Sequence, residues 1–257
     1  MMNLLTISLI PLFLCWGSFL NGLAYRLLHN VSILYPRSYC PHCRHTLAWY
    51  DLIPLFSWLI LKGACRYCHK SISWLYPFIE VFTVIALSLL FMYVPLNYFF
   101  GYFIFFSALI VSIRTDLAEM LISRYATLFL IPAGCILSYL ELLPLTMMQS
   151  IVGALVGYGL LYLIAALFYR STKKEGLGQG DMDLLSFIGA FTGIYGCWIS
   201  LLLASVFGSL IGIIYLNITK QNTQVTRIPF GPFLALGAMG FVLFKPWLLL
   251  IILGIEN

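Results

Sequence analysis

Residues 74–94 read WLYPFIEVFTVIALSLLFMYV, and residues 96–113, directly after Pro95, read LNYFFGYFIFFSALIVSI. The two runs contain a single acidic residue, Glu80, and no basic residue. A transmembrane helix needs about 20 predominantly apolar residues, because a helix rises about 1.5 Å per residue through a hydrocarbon core about 30 Å thick. Each run is therefore predicted to cross a membrane as a helix.

The rest of the chain has the same character. Of its 257 residues, 62% are hydrophobic and 9% are charged, whereas a soluble domain averages about 25% charged residues. Residues 183–216 are too long for one crossing, and a turn at residues 193–196 is predicted to divide them into a short and a long helix. The fold class is therefore predicted to be all-α, a polytopic membrane protein with about eight transmembrane helices. The other predicted spans are residues 4–24, 122–140, 151–169 and 232–253.

The positions of the basic residues predict the orientation of the chain. Loops on the cytoplasmic side carry an excess of Lys and Arg, and all 14 of these residues except Lys245 fall on one side of the predicted spans. We therefore predict that this side faces the cytoplasm and that both termini lie on the opposite side of the membrane. The net charge of +5 follows from this topology, and its clusters are too short to indicate nucleic-acid binding.

Residues 29–73 interrupt the apolar pattern and contain all four histidines and four of the seven cysteines. A segment of about 45 residues is too short to bury a self-sufficient core and usually needs a metal or disulfides. The predicted organisation is a first transmembrane helix (residues 1–28), a cytoplasmic zinc-binding insert (residues 29–73) and a membrane-embedded catalytic helical domain (residues 74–257).

The insert contains two Cys-x-x-Cys pairs, Cys40-Pro-His-Cys43 and Cys65-Arg-Tyr-Cys68, separated by 21 residues. This spacing predicts four thiolates arranged tetrahedrally around one structural Zn²⁺. Two disulfides or unconnected thiols are the alternatives, and the reducing cytoplasm disfavours the disulfides. His42 or His69 could each replace a thiolate. The other cysteines and histidines are predicted to pack in spans or lie at the interface: Cys15, Cys135, Cys197, His29 and His45.

Five of the nine acidic residues fall at or just inside the predicted cytoplasmic boundary. Ionisable groups at membrane depth are costly unless they are paired or wetted, so each raises a functional hypothesis. Glu80 lies deepest, and it could either form an ion pair with a basic residue of the insert or act in function. The five acids are Glu80, Asp116, Glu119, Asp181 and Asp183.

Asp181 ends the segment Gly178-Gln-Gly180-Asp181, directly before an apolar run. It could cap the N-terminus of a helix. Alternatively, the two glycines could adopt φ > 0, admit an extended substrate strand and present the carboxylate. Asp116 alone would be an ordinary interface acid, but it lies on the same membrane face. Two carboxylates that share a site titrate as a unit, with one protonated and one able to activate water, which is the chemistry of aspartyl proteolysis.

Taken in order, these motifs resemble the bacterial type IV prepilin peptidases, also called leader peptidase/N-methyltransferases. The similarity extends over nearly the whole chain. The matching segments are residues 17–21 (GSFLN), 25–27 (YRL), the paired Cys-x-x-Cys motifs with residues 53–58 (IPLFSW) between them, 76–80 (YPFIE), Asp116, 178–181 (GQGD) and 228–232 (IPFGP).

The resemblance implies that Asp116 and Asp181 form a proteolytic pair, with Gly178 and Gly180 in the catalytic loop. The expected substrates are type IV prepilins or type II secretion pseudopilins, which carry a basic leader and a hydrophobic N-terminal helix. They would be cut at the cytoplasmic membrane face after a glycine, usually before Phe or Met. Most members then methylate the new α-amine with S-adenosylmethionine. Glu80 is a candidate for the methyl-transfer region or for substrate contact.

Three positions depart from the usual pattern of that family. Ser123-Arg124 stand where Pro-Asp or Pro-Asn is usual, Asp183 stands where Lys is usual, and Val84 stands where Gly is common. We expect Arg124 and Asp183 to have exchanged the roles of the usual acid and base, as a swapped pair that supports the dyad electrostatically. Val84 puts the methyltransferase activity in question more than the proteolysis.

Two other function classes compete with the peptidase. An ion-coupled transporter could use the aspartates as a proton relay, although the chain shows no internal repeat and its acids cluster at one membrane edge, not near the midplane. A membrane anchor or assembly factor could use the zinc module to recruit a partner. A peptidase without methyltransferase activity is a third possibility, within the same family.

Overall fold

The protein is described by a computed structural model, which covers residues 4–173, 176–219 and 229–253. These residues contain α-helices, one 3₁₀ helix and isolated β-bridges but no β-strand, so the all-α prediction is confirmed. The helices are α1 (Leu4–Leu28), the 3₁₀ helix (Trp49–Leu52), α2 (Phe56–Ile60), α3 (Leu75–Tyr93), α4 (Leu96–Glu119), α5 (Arg124–Thr127), α6 (Leu130–Tyr139), α7 (Met147–Thr172), α8 (Gln179–Thr219) and α9 (Gly231–Leu253).

Five of these helices are long and apolar enough to cross a membrane: α1, α3, α4, α7 and α8. The predicted span at residues 122–140 is instead two helices, and α6 has only 10 residues, which rise about 15 Å, half of a hydrocarbon core. The apolar stretch of α9 at Gly231–Lys245 is also shorter than a usual span. The chain is thus a multi-pass membrane protein. Lys174, Lys220 and Arg227, which entered the orientation prediction, lie outside the described residues.

The longest helix, α8, contains a break in its backbone. Gly193 has φ 72° and ψ −170°, so it interrupts the helical backbone inside α8. This conformation has a positive φ that L-residues rarely adopt, and glycine supplies it without steric cost. The predicted division of residues 183–216 at the turn 193–196 therefore corresponds to an observed break.

The chain divides into two compact units, Met1–Tyr93 and Val94–Asn257. In the first unit, α1 packs against α3, with the cysteine-containing segment between them in sequence. The contact depends on Gly17, because a Cβ there would lie 3.0 Å from the Cα of Glu80 and 3.1 Å from the Cβ of Thr83. Farther along α1, the side-chain amide of Asn21 donates to the carbonyl of Tyr76 over 3.0 Å. The GSFLN segment therefore brings α1 close to the start of α3.

The second unit contains a buried aromatic cluster at its centre. The rings of Phe105 on α4 and of Phe187 and Phe191 on α8 lie with their centroids 5.0–5.3 Å apart. All three side chains are fully buried. Aromatic pairs at such distances add to the favourable free energy of burial, so this cluster ties α4 to the first half of α8.

Helices α7 and α8 pack through small residues. A Cβ on Gly153 would lie 2.3 Å from the carbonyl oxygen of Gly189, and a Cβ on Gly157 would lie 2.4 Å from that of Leu185. The hydroxyl of Ser150 donates to the Ala190 carbonyl over 2.6 Å. Spacing of small residues by four lets membrane helices approach closely, since no hydrophobic force drives their association in lipid. Close contact between the two helix backbones instead supplies the van der Waals attraction that holds α7 against α8.

This close contact predicts the outcome of adding one methyl group. Gly153→Ala is expected to destabilise the protein in detergent by about 1–3 kcal/mol, the usual penalty for overpacking, because the new Cβ meets a backbone carbonyl that cannot rotate away. Gly159→Ala in the same helix is the matched control, since nothing lies within 4 Å of a Cβ at Gly159. Thermal unfolding of both purified variants measures the difference, and equal melting temperatures would contradict the packing.

Candidate functional site

Asp116 lies in the last turns of α4, where its side chain is buried. Its Oδ2 accepts a hydrogen bond from the backbone N–H of Gly231 over 3.0 Å. Gly231 is the first residue of α9, and the free N–H groups of a helix N-terminus favour a negatively charged partner. The start of α9 therefore fixes the orientation of the Asp116 carboxyl.

Asp181 is the third residue of α8 and is half-buried. Its backbone N–H donates to the carbonyl of Gly178 over 3.2 Å. A Cβ on Gly178 would lie 3.4 Å from Oδ2 of Asp181, so the carboxyl lies beside the start of α8. Because α8 begins at Gln179, Asp181 is inside the first turn and is not its N-cap residue.

The side chain of Ile122 connects the two aspartate positions. A Cβ on Gly180, next to Asp181, would lie 3.0 Å from the Cβ of Ile122. A Cβ on Gly231, the partner of Asp116, would lie 2.9 Å from Cδ1 of the same Ile122. The two carboxylates are also close enough to repel each other electrostatically. The structure therefore brings Asp116 and Asp181 together around one side chain.

The alternative in which the two loop glycines adopt a positive φ is not observed. Among the described glycines, only Gly63 and Gly193 have a positive φ. Gly180 belongs to α8, and what it supplies is space: a side chain there would press on Ile122. Gly178 precedes the helix, and a Cβ there would make only an ordinary van der Waals contact with the Asp181 carboxyl. Of the two glycines, Gly180 is therefore the one whose missing side chain the packing requires.

Arg124 and Asp183 form an ion pair, with Nε of the arginine 3.1 Å from Oδ2 of the aspartate. Arg124 begins α5 and its side chain is 60% exposed, whereas Asp183, in α8, is 1% exposed. The second oxygen of Asp183, Oδ1, is buried without a hydrogen-bond partner. The pair joins α5 to the first turns of α8, two residues beyond Asp181. Glu119, the remaining acid of this group, is exposed at the end of α4.

Glu80 lies in the first unit, buried in the second turn of α3. Its Oε2 accepts the backbone N–H of Leu55 over 2.8 Å, and the carboxyl is also hydrogen-bonded to the side chain of Ser18. Within the described parts of the chain it forms no ion pair with a basic residue. The alternative of a structural pair with a basic residue of the insert is therefore not observed there.

The four cysteines of the insert form one cluster. The sulfur atoms of Cys40, Cys43, Cys65 and Cys68 all lie within 4.8 Å of one another, and those of Cys40 and Cys68 are 3.9 Å apart. A tetrahedral site with Zn–S bonds of about 2.3 Å requires sulfurs about 3.8 Å apart. The donor set thus fits a zinc ion held by four thiolates.

The surroundings of the cluster favour metal binding over the alternatives. All four cysteines are free of disulfides, and the cluster includes neither His42 nor His69. Burial disfavours the thiolate of Cys65, but hydrogen bonds from the backbone N–H groups of Cys68 and Tyr67 outweigh it and lower the pKa of Cys65 to about 7. The thiolate is the form that binds a metal, so the lowered pKa of Cys65 favours metal binding.

An ion pair also stabilises the insert at residues 29–73 (the cysteine module). Asp51 accepts hydrogen bonds from Nε of Arg66 over 2.7 Å, from the hydroxyl of Tyr67 over 3.3 Å and from the backbone N–H of Ala48 over 3.2 Å. Burial acts to raise the pKa of Asp51, but the Arg66 guanidinium and the other donors hold that pKa below its usual range. The pair links the 3₁₀ helix to the second Cys-x-x-Cys motif.

Sequence reasoning did not single out four of the residues that shape these sites. Ile122 is an apolar residue at the start of a predicted span, and its importance follows only from contacts with residues far along the chain. Ser18, Leu55 and Gly231 lie inside segments already identified as motifs, GSFLN, IPLFSW and IPFGP. For these three residues the motif was the signal, but it assigned them no role. Ile228 of the IPFGP segment lies outside the described residues.

Two protein families match the chain. The family described as "Bacterial Peptidase A24 N-terminal domain" matches residues 12–94, and the "Type IV leader peptidase family" matches residues 103–213. The first match covers the helix pair and the cysteine module, and the second covers most of the helices that contain the two aspartates. The order of the two matched segments agrees with the order of the two structural units.

Several curated proteins are similar over most of their length. A prepilin leader peptidase/N-methyltransferase of Pectobacterium carotovorum subsp. carotovorum is 34% identical, with 87% of both chains covered. A type 4 prepilin-like proteins leader peptide-processing enzyme of Escherichia coli O78:H11 is 35% identical, with 83% of this chain and 77% of the relative covered. A prepilin leader peptidase/N-methyltransferase of Aeromonas hydrophila is 34% identical over 80% of this chain and 70% of the relative. No solved structure matches the chain.

The cysteine cluster predicts that the purified protein contains about one zinc ion per chain. Replacing Cys40 and Cys43 together with serine is expected to remove the metal and unfold the module, because folding and metal binding are coupled in small metal-dependent modules. Elemental analysis gives the metal content, and limited proteolysis detects the unfolding. Cys15→Ser in α1, an exposed free cysteine, is the control that should leave both unchanged. A metal-free variant with an intact, protease-resistant module would contradict the prediction.

The Arg124–Asp183 pair predicts non-additive effects of exchanging its charges. Arg124→Asp places two acids together and Asp183→Lys places two bases together, so each single variant should unfold at a lower temperature. The double variant restores opposite charges and should recover part of the loss. The coupling free energy is expected to be on the order of 1 kcal/mol, because Arg124 is mostly exposed and water screens its charge. Strict additivity of the two single effects in thermal unfolding would show that the residues are not coupled.

Proposed function

Since the chain belongs to the type IV leader peptidase family, we infer that it is a membrane-embedded prepilin peptidase with N-methyltransferase activity. Two of the three relatives named above carry both activities in their names, and the family matches extend over both structural units of this chain. Membership in this family favours proteolysis over the ion-transport and anchoring alternatives.

The proposed catalytic pair is Asp116 and Asp181, and its support is their convergence around Ile122. Two carboxyl groups that share a site do not both ionise readily, so one retains a proton. The ionised carboxylate takes a proton from a water molecule as the water oxygen attacks the scissile carbonyl carbon. The protonated carboxyl hydrogen-bonds the carbonyl oxygen and stabilises its developing negative charge.

The resulting tetrahedral intermediate collapses when the leaving nitrogen receives a proton from the dyad and the C–N bond breaks. One product is the leader with a new carboxyl terminus, and the other is the mature chain with a free α-amine. Gly180, next to Asp181, leaves the space that Ile122 occupies between the two aspartate positions. The Gly231 amide holds Asp116 in position, so that little reorganisation is needed during the reaction.

We assign a supporting role to the Arg124–Asp183 pair. Asp183 lies two residues after Asp181 on α8 and pairs with Arg124 on α5. This ion pair holds the first turns of α8 against α5, and Ile122 lies two residues before Arg124 in the chain. By resemblance to the family, in which Asp or Asn and Lys are usual at these positions, the pair would supply the two groups with their charges exchanged.

Methyl transfer follows cleavage on this proposal. S-adenosylmethionine supplies a methyl group on a sulfonium sulfur; when the methyl carbon bonds to the neutral α-amine, the C–S bond breaks, its electron pair stays on sulfur and one proton is released overall. Glu80 is the residue that we propose for this step or for substrate contact, since it is a buried acid in the unit that also holds the cysteine module. The metal would support this unit structurally.

The expected substrate is a type IV prepilin or a type II secretion pseudopilin with a basic leader and a hydrophobic N-terminal helix. The exposed acid Glu119 would attract the leader, whereas Asp183 is buried and paired with Arg124 and Glu80 is buried in the first unit; the apolar helix would lie in lipid. The distribution of Lys and Arg supports an inner-membrane location with the site on the cytoplasmic side and both termini in the periplasm. The division into a first helix (1–28), a zinc-binding insert (29–73) and a catalytic domain (74–257) belongs to the same proposal.

Isosteric removal of either carboxyl tests the peptidase. Asp116→Asn and Asp181→Asn are each expected to lower the rate of prepilin cleavage by at least about 1,000-fold, since an amide can neither accept the proton of water nor donate as an acid. Cleavage of a purified prepilin by enzyme in nanodiscs measures the rate, and mass spectrometry of the mature N-terminus detects the methyl group.

Glu141→Gln is the matched control for these substitutions, because Glu141 is an exposed acid in the second unit outside the proposed site. It should cleave and methylate at the wild-type rate. Normal processing by either aspartate variant would contradict the dyad. Wild-type enzyme that cleaves but leaves the amine unmodified would contradict the methyltransferase activity alone.

A further inference from the structure

The first unit exposes an apolar helix face outside its two long helices. Helix α2 has five residues, Phe56–Ile60. Phe56, Leu59 and Ile60 lie on one face of it, because residues three and four positions apart are neighbours on a helix. These three side chains are 61–74% exposed. An exposed apolar patch of this kind marks a surface that contacts a partner or a membrane.

The opposite face of α2 packs against the cysteine module. The indole N–H of Trp58 donates to the carbonyl of Ile72 over 3.3 Å, and a Cβ on Gly63 would lie 2.9 Å from Cζ2 of the same ring. Trp58 is thus directed inward, and packing within the module does not cover the other face. Further exposed apolar side chains precede α2 in the chain: Trp49, Tyr50, Leu52 and Ile53.

A hydrogen bond holds α2 at the level of a membrane-spanning helix. Leu55, directly before α2, donates its backbone N–H to Oε2 of Glu80 over 2.8 Å. Glu80 follows Leu75, the first residue of α3, by five residues, which is about 7 Å along the helix axis. Each interfacial layer of a bilayer is about 5–8 Å thick, and α3 is long and apolar enough to cross. Helix α2 therefore lies beside the membrane boundary and not in bulk water.

A second exposed apolar segment is held at the end of α1. Arg26, in the last turn of α1, donates hydrogen bonds to three carbonyl groups of residues 32–36. Leu34, inside this segment, is 93% exposed. Since α1 is itself long and apolar enough to cross a membrane and ends at Leu28, the segment also lies at the boundary. Both ends of the insert are thus attached at the same bilayer surface.

The charges of residues 29–73 complement an anionic surface. This segment contains five Lys and Arg residues and one acid, Asp51, and Asp51 pairs with Arg66 over 2.7 Å. Lys62 is exposed and follows the last residue of α2 by two positions. Basic residues beside an exposed apolar face are typical of helices that lie in the membrane interface, where anionic lipids attract them.

From these observations we infer that α2 lies in the membrane interface, with Phe56, Leu59 and Ile60 among the lipid acyl chains and Lys62 at anionic headgroups. The partner is the phospholipid surface on the side where α1 ends and α3 begins. This contact holds the cysteine module against the bilayer at a third point, in addition to its connections to α1 and α3. The inference goes beyond the proposed function and does not depend on either enzymatic activity.

Two sets of variants separate the apolar contact from the charge. The triple variant Phe56→Ser, Leu59→Ser and Ile60→Ser removes the apolar face. Its matched control, Phe56→Leu, Leu59→Ile and Ile60→Leu, changes the same positions and keeps them apolar. Lys62→Glu reverses the neighbouring charge, and Lys62→Arg is its control. Zinc content and resistance to limited proteolysis show whether the module is folded in each variant.

The measurement uses full-length protein in nanodiscs that contain a phospholipid with a photoreactive group in its acyl chain. After illumination, mass spectrometry gives the fraction of the α2 peptide that carries a lipid adduct. The nanodiscs are made of phosphatidylcholine, with or without phosphatidylglycerol as the anionic lipid. The peptides of the spans are the internal reference for labelling.

We expect adducts on the wild-type α2 peptide. The serine variant should lower the adduct fraction at least about tenfold, because three apolar side chains no longer favour burial in lipid. The apolar control should stay within about twofold of wild type. Lys62→Glu should lower the fraction about fivefold in anionic nanodiscs only, since each basic residue near an anionic surface contributes to the attraction, and Lys62→Arg should not.

Three outcomes would overturn the inference. The first is a folded, zinc-loaded wild-type protein whose spans are labelled but whose α2 peptide is not. The second is equal labelling of the serine variant and its apolar control. The third comes from replacing Phe56 with the photoreactive residue benzoylphenylalanine, which identifies the occupant by the mass of the product. A phospholipid adduct is expected, whereas a cross-link to prepilin or to a second copy of the chain in its place would assign the face to that protein.

Discussion

The free-energy cost of burying a carboxylate constrains the structure of both units of this protein. Asp116, Asp183 and Glu80 are buried at helix ends, where an uncompensated charge would be expensive. Each receives a donor from a distant segment: the Gly231 amide, 115 residues from Asp116; Arg124, 59 residues from Asp183; and the Leu55 amide, 25 residues from Glu80. These bonds fix the orientation of the acids and also connect elements that the chain order separates.

Close contact between helices is the second constraint on the structure, and glycines allow it because they have no side chain. Gly17 lets α1 reach α3, so that Ser18 meets Glu80. Gly153 and Gly157 let α7 touch the backbone of α8, which positions the helix that begins beside Asp181. In lipid the hydrophobic effect does not drive helices together. Backbone contact and short hydrogen bonds such as that of Ser150 therefore supply the free energy of helix association. The same packing that stabilises the membrane helices thus positions the acids at their ends.

The candidate functional groups are divided between the two units. The aspartates and their supports belong to the second unit, and the cysteine cluster and Glu80 belong to the first. The cysteine module has too few residues to fold on a hydrophobic core alone, so a bound metal would stabilise the first unit. On the proposed function, the carboxyl pair of the second unit performs the hydrolysis.

The sequence by itself determined the membrane class, the helical fold and the identity of the chemical groups, because hydrophobic run length and Cys-x-x-Cys spacing are local properties. It also indicated the charge exchange between Arg124 and Asp183, since both residues occupy motif positions. Only the tertiary structure decided which distant groups compensate each acid, and it divided the predicted span at residues 122–140 into α5 and α6. The sequence left open whether Gly178 and Gly180 adopt a positive φ; the structure shows that they do not, and that a side chain on Gly180 would press on Ile122. Contacts between residues 25 to 115 positions apart depend on how helices pack, and no local pattern encodes that packing.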